Sequence, residues 1–361
     1  MCADRLLQIL LVALPLLLWL SATPLSGLAP LVDWPTIAAL TGLLALTKGL
    51  ELSGALGWLG QRLIAAMASE RRAALLLVSA AVLLSTVLTN DVALFVIVPL
   101  TIGVCRLTAM PLARLVVFEA LAVNAGSALT PIGNPQNLFL WQLSKVSFGE
   151  FTLHMLPLAA ALTVLLLLLT AAKFAARPIV VTDNTPHARL DQRLLWTALS
   201  LYIPFLVATD LHAAGPALLV VLAILAILRP AVLARLDWGL LLVFVLMFID
   251  LRLVAALPQV QAGIGHLGLA QPVHLYFAGI GASQAISNVP AAIALAAYSS
   301  DWKVIAYAVS VGGFGTAVGS LANLIALRMV KERGAWTLFH IYAVPFLLAA
   351  TGIGYALLFR A

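Results

Sequence analysis

The chain has 361 residues, of which 63% are hydrophobic and only 9% charged. A soluble domain carries about a quarter charged residues, so this composition excludes an ordinary soluble fold and points to a polytopic membrane protein. The net charge of +6, from 20 Lys and Arg against 14 Asp and Glu, would suggest nucleic acid in a soluble chain; here the basic residues lie in loops between apolar runs, where membrane topology accounts for them and no nucleic-acid partner is implied. The two cysteines, Cys2 and Cys105, make neither a disulfide framework nor a metal or redox motif and read as structural fillers.

A span needs about 20 apolar residues. Leu6–Ala29 reads as helix one, either a retained first span or, given Arg5 and the small residues Ser21-Ala22-Thr23, a signal peptide. Asp33-Trp34-Pro35 starts helix two, with Pro in a favourable first turn, and the helix runs to about Leu50. Ser53–Ala68, with Gln61 and Arg62, reads as a helix lying at the interface. The apolar run after Arg71 and Arg72 breaks at Thr89-Asn90-Asp91 and resumes from Val92 to Val104 before Arg106. A straight helix of that length would be ~50 Å against a ~30 Å hydrocarbon core, and both ends carry arginine, so a re-entrant hairpin with a polar tip is expected. Pro111 begins a helix that breaks at Thr130-Pro131-Ile132-Gly133-Asn134-Pro135 and resumes as Asn137–Leu143; Phe151–Phe174 returns.

The polar stretch 176–193, with Asp183, His187 and Arg189, reads as a cytoplasmic linker between a first repeat, 1–175, and a second, 194–361. The second opens with an extra span, Leu194–Val207, and a short one, Ala217–Leu228. Asp237-Trp238 then echoes Asp33-Trp34, Ala255–His266 echoes the interfacial helix, Leu275–Ala297 the hairpin, Lys303–Arg328 the broken helix, and Trp336–Phe359 is the last span. Landmark offsets are 204 at the Asp-Trp pairs, 198 at Asn90 and Asn288, and 186 at Asn137 and Asn323, a drift that two deletions explain.

With the N-terminus inside, fifteen Lys and Arg residues, among them Arg62, Arg71, Arg72, Arg106, Arg193, Arg229, Arg235, Arg328 and Lys331, fall on the cytoplasmic side. Only Lys145, Arg252, Lys303 and Arg360 fall outside, and Lys48 lies within a helix end. This topology inverts the second repeat relative to the first. The expected fold is therefore all-α, with inverted repeats that each carry a re-entrant hairpin and a broken helix, an alternating-access architecture.

Non-helical backbone at membrane depth is tolerated only inside protein or beside a water-filled cavity. At such breaks helix N-terminal amides attract an anion, while carbonyl, hydroxyl and amide oxygens suit a hard cation such as sodium. The candidate substrate- or ion-binding residues are Thr89, Asn90, Asp91, Thr130, Gly133, Asn134, Asn137, Ser287, Asn288, Thr316, Ser320 and Asn323. No nucleophile–base pair or metal cluster suggests an enzyme, and no cofactor is expected beyond a sodium ion or proton as coupling ion.

The phrases Leu88-Thr89-Asn90-Asp91, Thr130-Pro131-Ile132-Gly133-Asn134-Pro135-Gln136-Asn137, Ile286-Ser287-Asn288-Val289-Pro290 and Gly319-Ser320-Leu321-Ala322-Asn323-Leu324 resemble the signature loops of the ion-transporter superfamily, which includes arsenite permeases, NhaD-type sodium/proton antiporters, citrate transporters and divalent anion:sodium symporters. The resemblance covers nearly the whole chain. It implies an elevator-type transporter with a scaffold, a moving transport domain and usually a homodimer, whose hairpin tips and Thr-Pro-Pro-Asn-like loops hold sodium and a carboxylate. Here the tips read Thr89-Asn90-Asp91 and Ser287-Asn288-Val289 in place of two Ser-Asn-Thr triplets, which moves the resemblance from the dicarboxylate symporters toward the arsenite-permease, citrate-transporter-like and short YbiR-like branches.

Intramembrane carboxylates are functional candidates because burying them is costly. Asp91 is open to cation or proton coupling, or to a role as hairpin N-cap. Glu119 is open to proton relay or to pairing with Arg114. Lys48 with Glu51, and Asp250 with Arg252, read as interfacial pairs; Asp33 and Asp237 read as helix caps; Asn124 and Ser127 are either ligands or packing groups. The expected function is a secondary active transporter of a small anion, a carboxylate or oxyanion, in the inner (plasma) membrane, coupled to sodium or protons. A sodium/proton antiporter and an arsenite efflux permease stand as alternatives; a channel would not need duplicated hairpins.

Overall fold

The computed structural model describes residues 2–108, 110–179, 190–330 and 332–360. Among these the regular structure is helical, apart from one isolated antiparallel bridge between Ser69 and Pro178. Helix α1 (Cys2–Ser21) stops well before the expected Ala29. Ala22 takes φ 52°, and the chain continues as two 3-10 turns, Leu25–Gly27 and Ala29–Leu31, bent 107° from α1. Pro24 accounts for the stop, since it removes a backbone donor and restricts the residue before it, and Pro30 sits in the second 3-10 turn.

Asp33 then caps α2 (Trp34–Leu52) by accepting the Thr36 N–H at 3.0 Å, and Gly54, at φ 79°, turns the chain into α3 (Ala55–Ala65) with a 57° bend. Ser69 caps α4 (Glu70–Val87), and Leu88-Thr89 separates it from α5 (Asn90–Thr108). Next come α6 (Leu112–Ser127), α7 (Pro135–Ser144) and α8 (Phe148–Lys173), the last capped by Ser147.

The central part of the expected linker, residues 180–189 with Asp183, His187 and Arg189, lies outside the described residues, as does Lys331. The linker's flanks are tied to the start of α4 and the end of α2: Glu70 N–H donates to Arg177 O at 2.9 Å, and Asp191 N–H to Ser53 O at 2.8 Å. Asp191 caps α9 (Gln192–Asp210), which is followed by α10 (Ala214–Leu228), the short α11 (Pro230–Ala234) and α12 (Trp238–Ala256), capped by Asp237. The chain ends with α13 (Pro258–Gly265), α14 (Pro272–Ile286), α15 (Asn288–Ala296), α16 (Trp302–Gly312), α17 (Leu321–Met329) and α18 (Ala335–Phe359).

Among the described residues, four helices, α5, α8, α12 and α18, are long and apolar enough to cross a membrane, and two bent pairs raise the number to as many as six. The surface is what lipid requires: Trp19, Trp196, Ile227 and Leu348 are exposed, whereas Thr101, Asn124, Asn137 and Asn323 are buried. Nine-residue α15, ~14 Å long, reaches only half the hydrocarbon depth, so the second hairpin is re-entrant by length. In the first, α5 is ~29 Å long and packs against α4.

Packing between the halves is reciprocal. Helix α1 lies along α12 as α10 lies along α2; α6 meets α17 as α16 meets α7; α5 meets α17 as α15 meets α7. Each pairing becomes another when every helix is exchanged for its counterpart in the other half, so neither half buries its apolar surface alone.

Candidate functional site

Each break is built from its own polar residues. In the first half, Thr130 Oγ1 donates to Thr86 O at 2.6 Å and Asn90 N–H donates to Gly133 O at 2.9 Å, which locks the hairpin tip to the break in the next helix. Asn134 caps α7 by accepting the Asn137 N–H at 2.8 Å, and its Nδ2 reaches Ser127 O at 3.0 Å. Asn137 Nδ2 spreads over Ser127 O, Ala128 O and Thr130 O, each at 3.2 Å, the carbonyls left without helical partners where α6 ends. Gly126 and Gly133 let this layer close, since a Cβ on Gly126 would run into Val82 O and Ser85 Oγ, and one on Gly133 into the backbone of Ser127.

The second half repeats these contacts with different atoms available. Thr316 Oγ1 donates to Gln284 O at 3.3 Å, matching the Thr130 bond, and Asn323 Nδ2 donates to Gly313 O at 2.9 Å and Thr316 O at 3.3 Å, matching Asn137. Gln284 adds a bridge without counterpart: its Oε1 accepts the Thr316 N–H at 2.8 Å and its Nε2 donates to Gly312 O at 2.7 Å. Ser287 sits at φ 74°, ψ 156°, a region that costs a non-Gly residue ~1–3 kcal/mol and is found at functional sites. The two breaks touch through Asn124, whose Nδ2 donates to Asn323 Oδ1 at 2.8 Å.

Asn90 and Asn288, one from each tip, line a single pocket together with Asp91, Pro135, Gln136 and Ser320, walled by Leu240 and Phe244 of α12. Its free volume, about 10 Å³, is room for roughly one water. The first residues of four helices meet there: Asn90 of α5, Asn288 of α15, Pro135 and Gln136 of α7, and Ser320-Leu321 at the start of α17. Each N-terminus carries a partial charge of roughly +0.5, so the four supply on the order of +2 against the single Asp91 carboxylate. Gln136 is buried and its Oε1 has no partner; Asp91 Oδ1 is likewise buried and unpartnered. Both oxygens are acceptors, so they suit a cation or a hydrogen-bond donor in the pocket.

Of the residues singled out in the sequence, Asn90, Asp91, Asn288 and Ser320 line this pocket. Thr89 lines the adjoining cavity and Ser287 an apolar pocket beside α1 and α12. Thr130, Gly133, Asn134, Asn137, Thr316 and Asn323 build the breaks, and Asn124 packs the halves together. Gln136, inside a polar phrase, and Gln284, two residues before one, carry roles that only the fold distinguishes.

Glu119 lies apart from the tips, fully buried, accepting a hydrogen bond from the Thr101 hydroxyl, with Oε2 unpartnered. The alternative pairing with Arg114 is not formed, because Arg114 Nη1 donates to Lys173 O at 3.2 Å. The Asp250–Arg252 pairing fails in the same way: Arg252 Nη1 donates to Leu31 O at 2.9 Å and stacks on Phe248, leaving both Asp250 oxygens unpartnered. Lys48 and Glu51 do pair, at 2.6 Å.

The family model described as citrate transporter matches residues 4–312. The chain is 47% identical to the inner membrane protein YbiR of Escherichia coli (strain K12) over 98% of its length and 95% of that protein's. It is 31% identical to the uncharacterized transporter MJ0456 of Methanocaldococcus jannaschii, covering 83% of this chain and 82% of that one. A shorter match, 25% identical over 33% of this chain and 21% of the other, is to the putative transporter arsB of Dictyostelium discoideum. With helices of membrane-spanning length, paired hairpin tips and a family match over most of its residues, the chain belongs to the citrate transporter family of multi-pass membrane transporters.

Proposed function

We propose that this protein is a secondary active transporter that moves a small anion, a carboxylate or an oxyanion, across the inner membrane, coupled to sodium or protons. The observation that carries this reading is the convergence of four helix N-termini on one pocket, an arrangement whose dipoles favour an anion once the tips part to admit one. Asn90, Asn288, Gln136 and Ser320 would supply its neutral hydrogen-bonding groups, and Asp91 would hold the coupling cation. The reading includes inverted repeats over 1–175 and 194–361 joined by the 176–193 linker, an N-terminus in the cytoplasm, an elevator motion of the tips against α2 and α12, and a homodimer.

A second reading, sodium/proton antiport, is favoured by the unpartnered oxygens of Asp91 and Glu119; arsenite efflux is a variant of the first with a different cargo. Flux in proteoliposomes under imposed sodium and pH gradients separates these readings, with citrate, dicarboxylates, sulfate, phosphate and arsenite as cargo and Asn90→Ala as control. Gradient-driven movement of one anion, lost in the variant, supports the first reading. Proton flux driven by sodium with no anion moving replaces it with antiport.

A further inference from the structure

Beside the tip pocket, between α2, the first tip and the start of α12, lies a cavity of about 260 Å³ whose charged lining is Lys48, Glu51, Asp91 and Asp237. One ammonium against three carboxylates gives this lining a formal charge of −2, the opposite sign to the helix ends in the pocket behind it. The two spaces share Asp91, Leu240 and Leu321, so Asp91 stands on the partition between them. Asp237 is fixed by its cap bond to Leu240 N–H at 2.9 Å. Lys48 Nζ is held by Glu51 Oε2 at 2.6 Å, while Asp91 Oδ1 has no partner. Lys48 has a long flexible stem and opens on the same cavity as Asp91; as things stand its charge is spent on Glu51.

We propose that this cavity is where the coupling cation loads, with Asp91 as its carboxylate ligand, and that Glu51 sets the cation's affinity by holding the Lys48 ammonium off Asp91. The proposal rests on the cation-coupled reading given above. It makes Lys48 a tethered competitor: freed from Glu51, it has only Asp91 and Asp237 left in the cavity to neutralise. It also orders the cycle from this face. A cavity of charge −2 repels an anion and attracts a cation, so the cation loads first and the anion follows once the charge at Asp91 is offset.

The test uses the purified full chain in detergent and reads its melting temperature. Sodium chloride is titrated at fixed pH, with choline chloride keeping the ionic strength constant; pH is then titrated in choline alone, which separates sodium from a proton. Glu51→Gln is expected to raise the half-saturating cation concentration about five-fold or more, and Lys48→Met to lower it by a similar factor, the range of ordinary site-to-site coupling. Asp91→Asn removes the saturable response. A wild-type response that neither Glu51→Gln nor Lys48→Met moves, or that both move in one direction, overturns the competitor role. If the wild type responds to neither cation, the cation-coupled reading falls first and this one with it. Because the two variants act in opposite directions, a general loss of folding cannot imitate the expected result.

Discussion

Gln136 and Asn137 are adjacent in the sequence and buried alike, yet the structure assigns them opposite jobs. Gln136 Oε1 bonds to nothing, so Gln136→Leu removes no intramolecular hydrogen bond through that atom and stability should hold within about 0.5 kcal/mol, as for substitutions away from structural features. A hydrogen bond donated by the Gln136 amide Nε2 to an anion in the pocket would contribute about 1.5–3 kcal/mol, so anion affinity should fall by roughly 10- to 150-fold. Asn137→Leu does the reverse. It strips the carbonyl of Ala128, while Ser127 O retains Asn134 and Thr130 O retains the Gly133 N–H at 3.4 Å. One orphaned carbonyl costs about 1–3 kcal/mol, enough to lower the melting temperature by about 2 °C or more. The assays are thermal melting of the purified variants and anion binding or uptake in proteoliposomes. If Gln136→Leu melts early, or Asn137→Leu is as stable as the wild type but transports nothing, the division between lining and building residues is wrong.

Three further outcomes are expected. Asn90→Ala and Asn288→Ala should each abolish transport while the protein still inserts and purifies, because one pocket needs both tips; full uptake by either would break the paired-tip model. Asp91→Asn should change the sodium or pH dependence of flux, and an unaltered dependence would reduce Asp91 to a structural residue at the start of α5. Gly126→Ala forces a methyl into Val82 O and Ser85 Oγ, so a loss of about 1–3 kcal/mol is expected from overpacking, read as a lower melting temperature; unchanged melting would show that α4 and α6 have slack.

Much of this plan is legible in the chain, because breaks in apolar runs have few explanations. The two tips, both broken helices and the caps at Asp33 and Asp237 all lie where the polar phrases put them. The end of α1 does not: hydropathy carries on through Leu28-Ala29, but Pro24 decides the backbone. Roles within the breaks are equally hidden. An amide in such a loop can satisfy the chain's own carbonyls or face a ligand, and nothing in the order of residues separates Asn137, which does the first, from Gln136, which lines the pocket. The neighbourhood of Lys48, Glu51, Asp237 and Asp91 joins positions up to about 190 residues apart, a proximity that only packing creates.

The crossed pairing of the halves bears on how the protein is made. Helix α1 lies along α12, yet α12 begins at Trp238, and a ribosome adding ~5–20 residues per second reaches it some 10–40 s after α1 is complete. Throughout that interval α1 must reside in the bilayer without the partner it will keep, and α2 must likewise wait for α10. Assembly is therefore a late event, gated by translation of the second half. A chain cut within the linker should leave its first fragment inserted but unassembled, exposed to quality-control proteases until the second fragment arrives.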